Sequence, residues 1–240
     1  MSYCPESLRR DALRRHRHAP AITYYRGSGV RMELSAATLD NWVAKAGAYL
    51  ADEFDLESDA VVRLDLPLHW LVPVWCQAVW SRGWAVTVTD TGNQVTATDL
   101  VITTAERVGM HRDVLDVVAC GTNPFGTPLG AACPPGAADA LADLRTYPDQ
   151  VSLPLPAPDA TVVVADGVRI DGPTAIARAD ALLDPACRRP LSTVLPDSGD
   201  GLLLTSLSWL CRDGAVVLVA EPESADLATI CAQEHTDCRV

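Results

Sequence analysis

Apolar positions along this chain switch between two spacings, and the switching outlines a succession of strands and helices. Residues 20–25 are extended and apolar, and they lead into a turn at Gly27-Ser28-Gly29. Residues 32–35 are extended again. Ser35 suits a helix N-cap, and after it Leu39, Val43, Ala46 and Leu50 recur at helical spacing. That spacing predicts a helix ending near Phe54, with one stripe against a sheet. Residues 60–64 form a short apolar strand. Residues 70–80 are apolar on nearly every face, which predicts a buried helix. Pro73 falls in its first turn, where a missing N–H costs little. Val86 and Val88 belong to the next strand, and Asp90-Thr91-Gly92-Asn93 reads as a loop.

The alternation continues with strands at 100–103 and 114–119 around a short helix at 105–110. Residues 120–158 turn Gly- and Pro-rich around one helix at 137–144, and 151–158 carry three prolines, an extended connection. The last third predicts strands at 161–165, 191–195 and 215–220. Helices are predicted at 174–183, behind Pro173, at 201–210 and at 226–234. Strand and helix in alternation make an α/β fold, a parallel or mixed sheet flanked by helices. Residues 1–240 read as one domain, its subregions 20–119 and 160–240 joined by the Gly/Pro-rich connection.

Composition narrows the function classes. The chain has 240 residues, 48% of them hydrophobic, and a net charge of −12. An acidic chain repels nucleic acid and anionic membrane, so neither is expected as a partner. No stretch approaches the ~18 apolar residues of a membrane span, and the charged N-terminus lacks the apolar centre of a secretory signal. The expected location is the cytoplasm. Arg9, Arg10, Arg14, Arg15 and Arg17 form the one basic cluster. On a helix over 5–16 they would face solvent opposite Leu8, Ala12 and Leu13, or else form an anion or partner site.

Eight cysteines stand at 4, 76, 120, 133, 187, 211, 231 and 238, with no C-x-x-C pair. Reduced structural thiols are therefore expected and no metal; Cys231 and Cys238 with His235 come nearest to a ligand set. The six tryptophans, 42, 70, 75, 80, 84 and 209, fall on predicted core elements.

The order Pro20-Ala21-Ile22-Thr23-Tyr24-Tyr25, turn, Met32-Glu33-Leu34-Ser35, helix, Ala60-Val61-Val62-Arg63-Leu64, Leu66-Pro67, helix, Arg82-Gly83-Trp84-Ala85-Val86-Thr87-Val88 resembles a known family. It is that of the N-terminal subdomain in the acyl-CoA synthetase, luciferase and peptide-synthetase adenylation superfamily. Leu191-Ser192-Thr193-Val194-Leu195-Pro196 and Asp213-Gly214-Ala215-Val216-Val217-Leu218-Val219 are similar to the segment downstream of that superfamily's ATP loop. The chain looks like a member of a small family of short proteins similar to AMP-binding enzymes.

The resemblance implies an adenylating ancestor, in which a Ser/Thr/Gly-rich loop ending Pro-Lys and a lysine on a C-terminal lid hold ATP. This chain has one lysine, Lys45, at a position that matches neither. Where the loop should lie stands Asp166-Gly167-Val168-Arg169-Ile170-Asp171-Gly172-Pro173-Thr174. Arg169 is no drop-in replacement for an ammonium. No residue is assigned a catalytic role and no cofactor is expected. The later family motifs do not appear, so the resemblance implies a truncated subdomain whose open face a second copy or a protein partner covers. Two readings follow: a degenerate, non-catalytic protein that binds a partner or small ligand, and an acid-activating ligase completed by a partner chain.

Two candidate sites remain. In the superfamily the turn after the Leu-Pro strand faces the acyl or aryl substrate. Here Asp197, Ser198 and Asp200 stand there, either as ligand contacts or as the cap of the helix that follows. Gly121, Gly126 and Thr127 have the outline of a phosphate loop without its lysine. Pro124 and Pro128 remove two N–H donors, so an ordinary Gly/Pro turn is the rival reading, and a nucleotide-binding regulator the functional one.

Overall fold

The computed structural model describes residues 4–88, 97–150 and 154–240. The expected loop at 90–93 and the start of the 151–158 connection lie outside the described residues. In chain order the elements are α1 (Pro5–His16), β1 (Pro20–Arg26), β2 (Val30–Ser35), α2 (Ala36–Glu53), β3 (Val61–Asp65), α3 (Leu71–Ser81), β4 (Ala85–Val88), β5 (Leu100–Thr104), β6 (Asp116–Cys120) and β7 (Ala138–Asp139). There follow α4 (Ala140–Asp143), β8 (Thr161–Ala165), β9 (Val168–Asp171), α5 (Gly172–Ala181), β10 (Pro190–Ser192), α6 (Gly199–Ser206), α7 (Ser208–Cys211), β11 (Val216–Ala220), α8 (Leu227–Glu234) and β12 (Cys238–Arg239).

The strands form two sheets, ordered β12-β10-β11-β1-β2 and β7-β6-β5-β3-β4-β8-β9. Pairing is parallel throughout except β1 with β2 and β8 with β9, the two hairpins. The N- and C-terminal parts of the sequence interleave. β1 and β2 join β10–β12 in the smaller sheet, while β8 and β9 extend the larger.

Every residue of α3 is buried, as its all-round apolar sequence requires. Its polar atoms find partners in other elements. Gln77 Nε2 donates to the Ser206 carbonyl at 2.9 Å and Trp80 Nε1 to the Val162 carbonyl at 2.6 Å. At the entrance to the helix, Trp70 Nε1 donates to the Pro124 carbonyl at 2.9 Å. Trp70, Trp75, Trp80 and Trp209 are among the largest fully buried side chains. Each contributes on the order of 2–3 kcal/mol by leaving water. α2 opens as the sequence predicts, with Ser35 Oγ accepting from the Thr38 N–H.

Several expectations are corrected. Arg9 does not face solvent: it is buried, bonded to Glu6 on its own helix and to Asp40 on α2. A guanidinium that finds two carboxylates tolerates the burial its helix position imposes. The 105–110 segment is a 3₁₀ helix. The 137–144 helix is shorter, because Asp139 ends a strand and caps α4 through the Ala142 N–H. The predicted 201–210 helix is two helices, broken at Leu207, where Ser208 Oγ and Trp209 Nε1 bond back to the Leu204 and Thr205 carbonyls. The cysteines are not all reduced. Cys187 and Cys238, 51 residues apart, form a disulfide. Parallel pairing of β10 with β12, and an Asp237 carboxylate that accepts the Arg188 and Arg189 N–H groups, bring the two together. No helix among the described residues is long and apolar enough to cross a membrane.

Candidate functional site

The chain leaves β3 for β4 on one side and then crosses to β5 on the other. In open α/β sheets the crevice outside the carboxyl ends of the strands at such a reversal is where ligands sit. Here a cavity of about 590 Å³ lies there, walled by Leu64, Leu66, Met110 and Pro196 and carrying Asp65, His111 and Asp197.

Asp65 ends β3 and is the hub of this crevice. Its carboxylate accepts from His111 Nε2 at 2.9 Å, from Thr103 Oγ1 at 3.1 Å, and from the Arg107 guanidinium. Register explains the set. Asp65 stands opposite Thr103 on β5, and the 3₁₀ turn that follows β5 returns Arg107 and His111 to the same end. Burial pushes the Asp65 carboxyl up. The bonds from His111 and Thr103 and the Arg107 charge more than offset this, so its pKa lies below the usual carboxylate value. Asp65 is therefore ionised at neutral pH.

A second, smaller pocket of about 170 Å³ adjoins the same two loops, 66–69 and 193–197, and is open to the carboxyl ends of β1, β10 and β11. Tyr24, Leu68, His69, Thr193, Leu195 and Val219 line it. Arg26 and Glu221 pair at its rim with 2.8 Å between Nε and Oε1. The His69 ring packs tilted against Tyr24 with centroids 4.8 Å apart, and its Nδ1 accepts from the Leu71 N–H at 3.2 Å. Burial pushes this imidazole down to about 4; the Asn123 backbone favours the protonated ring slightly but lies outside hydrogen-bond geometry to Nε2. His69 is neutral in ordinary buffers.

The residues singled out from sequence separate in the structure. Asp197 lines the mouth of the larger crevice. Ser198 is the N-cap of α6, accepting from the Gly201 N–H at 3.1 Å. Asp200 turns outward and pairs with Arg178 on α5 at 2.5 Å. Gly121 packs against the Thr127 carbonyl, and Gly126 has a left-handed φ of +64° beneath Trp70. In that loop the Phe125 and Gly126 N–H groups donate to the Asn123 side chain and carbonyl. Lys45 donates to the Tyr147 carbonyl at 2.6 Å and pairs with Asp149 at 2.7 Å. Cys238 meets Cys187 and Asp237, not Cys231 and His235, as the tightest potential ligand group among the described residues, with its sulfur committed to the disulfide.

Asp65, Arg107 and His111 escaped the sequence reading. The signal was a carboxylate closing a largely apolar strand, Val61-Val62-Arg63-Leu64-Asp65, immediately before Leu66-Pro67. A charge at the carboxyl end of a parallel strand is a place to look for a site.

No family model matches the chain. A TIGR03089 family protein of Mycobacterium tuberculosis is 31% identical over 227 residues, covering 90% of this chain and 88% of its relative. Among solved structures, an acyl-CoA synthetase of Brucella canis superposes with a TM-score of 0.79 at 14% identity, over 99% of this chain and 47% of its own. The R395G form of coronafacic acid ligase from Pectobacterium brasiliense gives 0.75 at 10% identity, over 99% and 50%. This chain thus spans about half the length of the synthetase and ligase structures it matches. At these identities the likeness shows the fold, a mixed α/β architecture matching the N-terminal part of adenylate-forming enzymes. By its sequence relationship, the chain belongs to the TIGR03089 family.

Proposed function

We propose that the protein binds a small organic ligand in the crevice at the carboxyl ends of β3 and β5, and that it does not adenylate that ligand. One observation carries this reading. Where an adenylating enzyme needs a lysine-bearing phosphate loop, residues 166–174 form a two-residue hairpin turn, strand β9 and the start of α5. Asp166 and Gly167 take left-handed φ values of +50° and +74°, as such a turn demands. β9 is paired in the antiparallel ladder with β8, and the Thr174 N–H donates to the Asp171 carboxylate. A phosphate cradle works by aiming unpaired N–H groups and a cation at anionic oxygens. This segment does not fit a triphosphate, and Lys45, the sole lysine, is held by Tyr147 and Asp149.

The test is carboxylate-dependent exchange of pyrophosphate into ATP by the purified full chain, with short-chain and aromatic acids as substrates. No exchange above background is expected; acid-dependent exchange would overturn the proposal. Light scattering tests the further expectation that a second copy covers an open face.

An acid-activating ligase completed by a partner chain is the second reading. It draws on the shared fold and on the half-length coverage of the synthetase structures. Exchange that appears only when a second polypeptide is added would support it.

A further inference from the structure

The larger crevice has a chemical preference of its own. His111 is 6% exposed, and its Nε2 faces the ionised Asp65 carboxylate at 2.9 Å. A carboxylate accepts only, so the proton sits on Nε2. In the neutral ring this leaves Nδ1 as a bare acceptor. Nδ1 has no partner among the described residues, and it is not among the side-chain atoms sealed from solvent without one. It is the free acceptor of a residue that lines the crevice.

The charges around it disfavour an anion. Three carboxylates, Asp65, Asp113 and Asp197, line the crevice against two guanidinium groups, Arg63 and Arg107, and Arg107 is committed to Asp65. An ammonium could also donate to Nδ1, but it would do so in a crevice that already holds the Arg63 and Arg107 charges, which an uncharged donor does not oppose. The remaining walls, Leu64, Leu66, Met110 and Pro196, are apolar, with Met110 73% exposed. Such walls suit an uncharged hydrocarbon body.

We propose that the crevice takes a neutral alcohol, an apolar body whose hydroxyl donates to His111 Nδ1. This rests on the ligand-binding reading above and adds the chemistry of the ligand. Asp65 is then a positioning residue that fixes the ring and its tautomer, as carboxylates do for ligand-bearing histidines elsewhere.

Three probes of one skeleton test it: benzyl alcohol, benzoate and benzylammonium, each titrated at pH 8 into the full-length protein carrying ¹⁵N-histidine and ¹³C-methyl methionine. His111 is assigned by its loss in His111→Gln. The expected result is an unprotonated Nδ1 that shifts with benzyl alcohol, together with the Met110 methyl, while benzoate leaves both in place. Asp65→Asn should release the ring, populate the other tautomer and weaken the alcohol response roughly tenfold. A protonated Nδ1 at pH 8 would overturn the inference. So would a Met110 shift with benzoate or benzylammonium and none at Nδ1 with the alcohol, though ligand binding itself would stand. If no probe moves Met110, the inference and the binding reading fall together.

Discussion

Two carboxylates, one buried and one half-buried, hold this molecule in different ways. Glu234, at the end of α8, accepts from Tyr25 Oη at 2.7 Å, from Arg31 Nε at 2.7 Å and from Arg189 Nη2 at 2.9 Å. Those partners come from β1, from β2 and from the segment before β10, so one side chain ties the smaller sheet to the helix on its face. Asp65 has as many partners, but two of them, Arg107 and His111, lie on the 105–110 3₁₀ helix and at its C-cap, and the cluster borders an open crevice. The first cluster joins three elements around a buried carboxylate and serves the fold. The second keeps a ring nitrogen in reserve, which a purely structural cluster has no reason to do.

The strongest challenge to that contrast is covalent. Cys238→Ser removes the only cross-link among the described residues and frees β12 beside the Glu234 cluster. A loop of 51 residues predicts a loss of about 4 kcal/mol, read as a lower denaturant midpoint that matches fully reduced protein. Next comes Glu234→Gln, which leaves Arg189 without its anion and Arg31 with Glu33 alone, and should cost about 2–3 kcal/mol.

The same residue makes a pH prediction. Burial pushes Glu234 up, but the bonds from Arg31, Tyr25 and Arg189 outweigh this and hold it at about 2, against an ordinary 4.5. A depressed carboxyl stabilises above its unfolded value, and that stability drains away as pH falls from about 4.5 to about 2. Acid titrations of wild type and Glu234→Gln should therefore converge in that window. Asp65→Asn should cost less, about 1–2 kcal/mol, since one guanidinium faces Asp65 where two face Glu234. If Asp65→Asn proves as damaging as Glu234→Gln, the crevice cluster is structural after all. The smallest effect belongs to Trp70→Phe. It keeps most of the packing but loses the bond to the Pro124 carbonyl, about 1 kcal/mol by thermal unfolding.

Much of the fold was legible because burial and periodicity agree. Leu39, Val43, Ala46 and Leu50 recur on one stripe and are buried together, and the all-apolar 70–80 segment became the fully buried α3. Boundaries failed where side chains compete for the backbone. Ser208 and Trp209 break a helix that their neighbours would continue, and Asp139 starts one late. The 166–174 segment misled because Asp-Gly reads equally as a loop or as a hairpin turn; only pairing of Ala165 with Val168 decides. Of the candidate site, Asp197 was visible from its place after a Leu-Pro strand. The Asp65–His111 pair was not, since 46 residues separate its members and only sheet register joins them. The disulfide was hidden for the same reason.

That cross-link also closes a ring that contains β10, α6, α7, β11 and α8. Proteolytic nicking anywhere inside the ring would leave two fragments that migrate as one on a non-reducing gel. Only a thiol would part them, so a digestion assay run without reductant would overstate how well this part of the molecule resists cleavage.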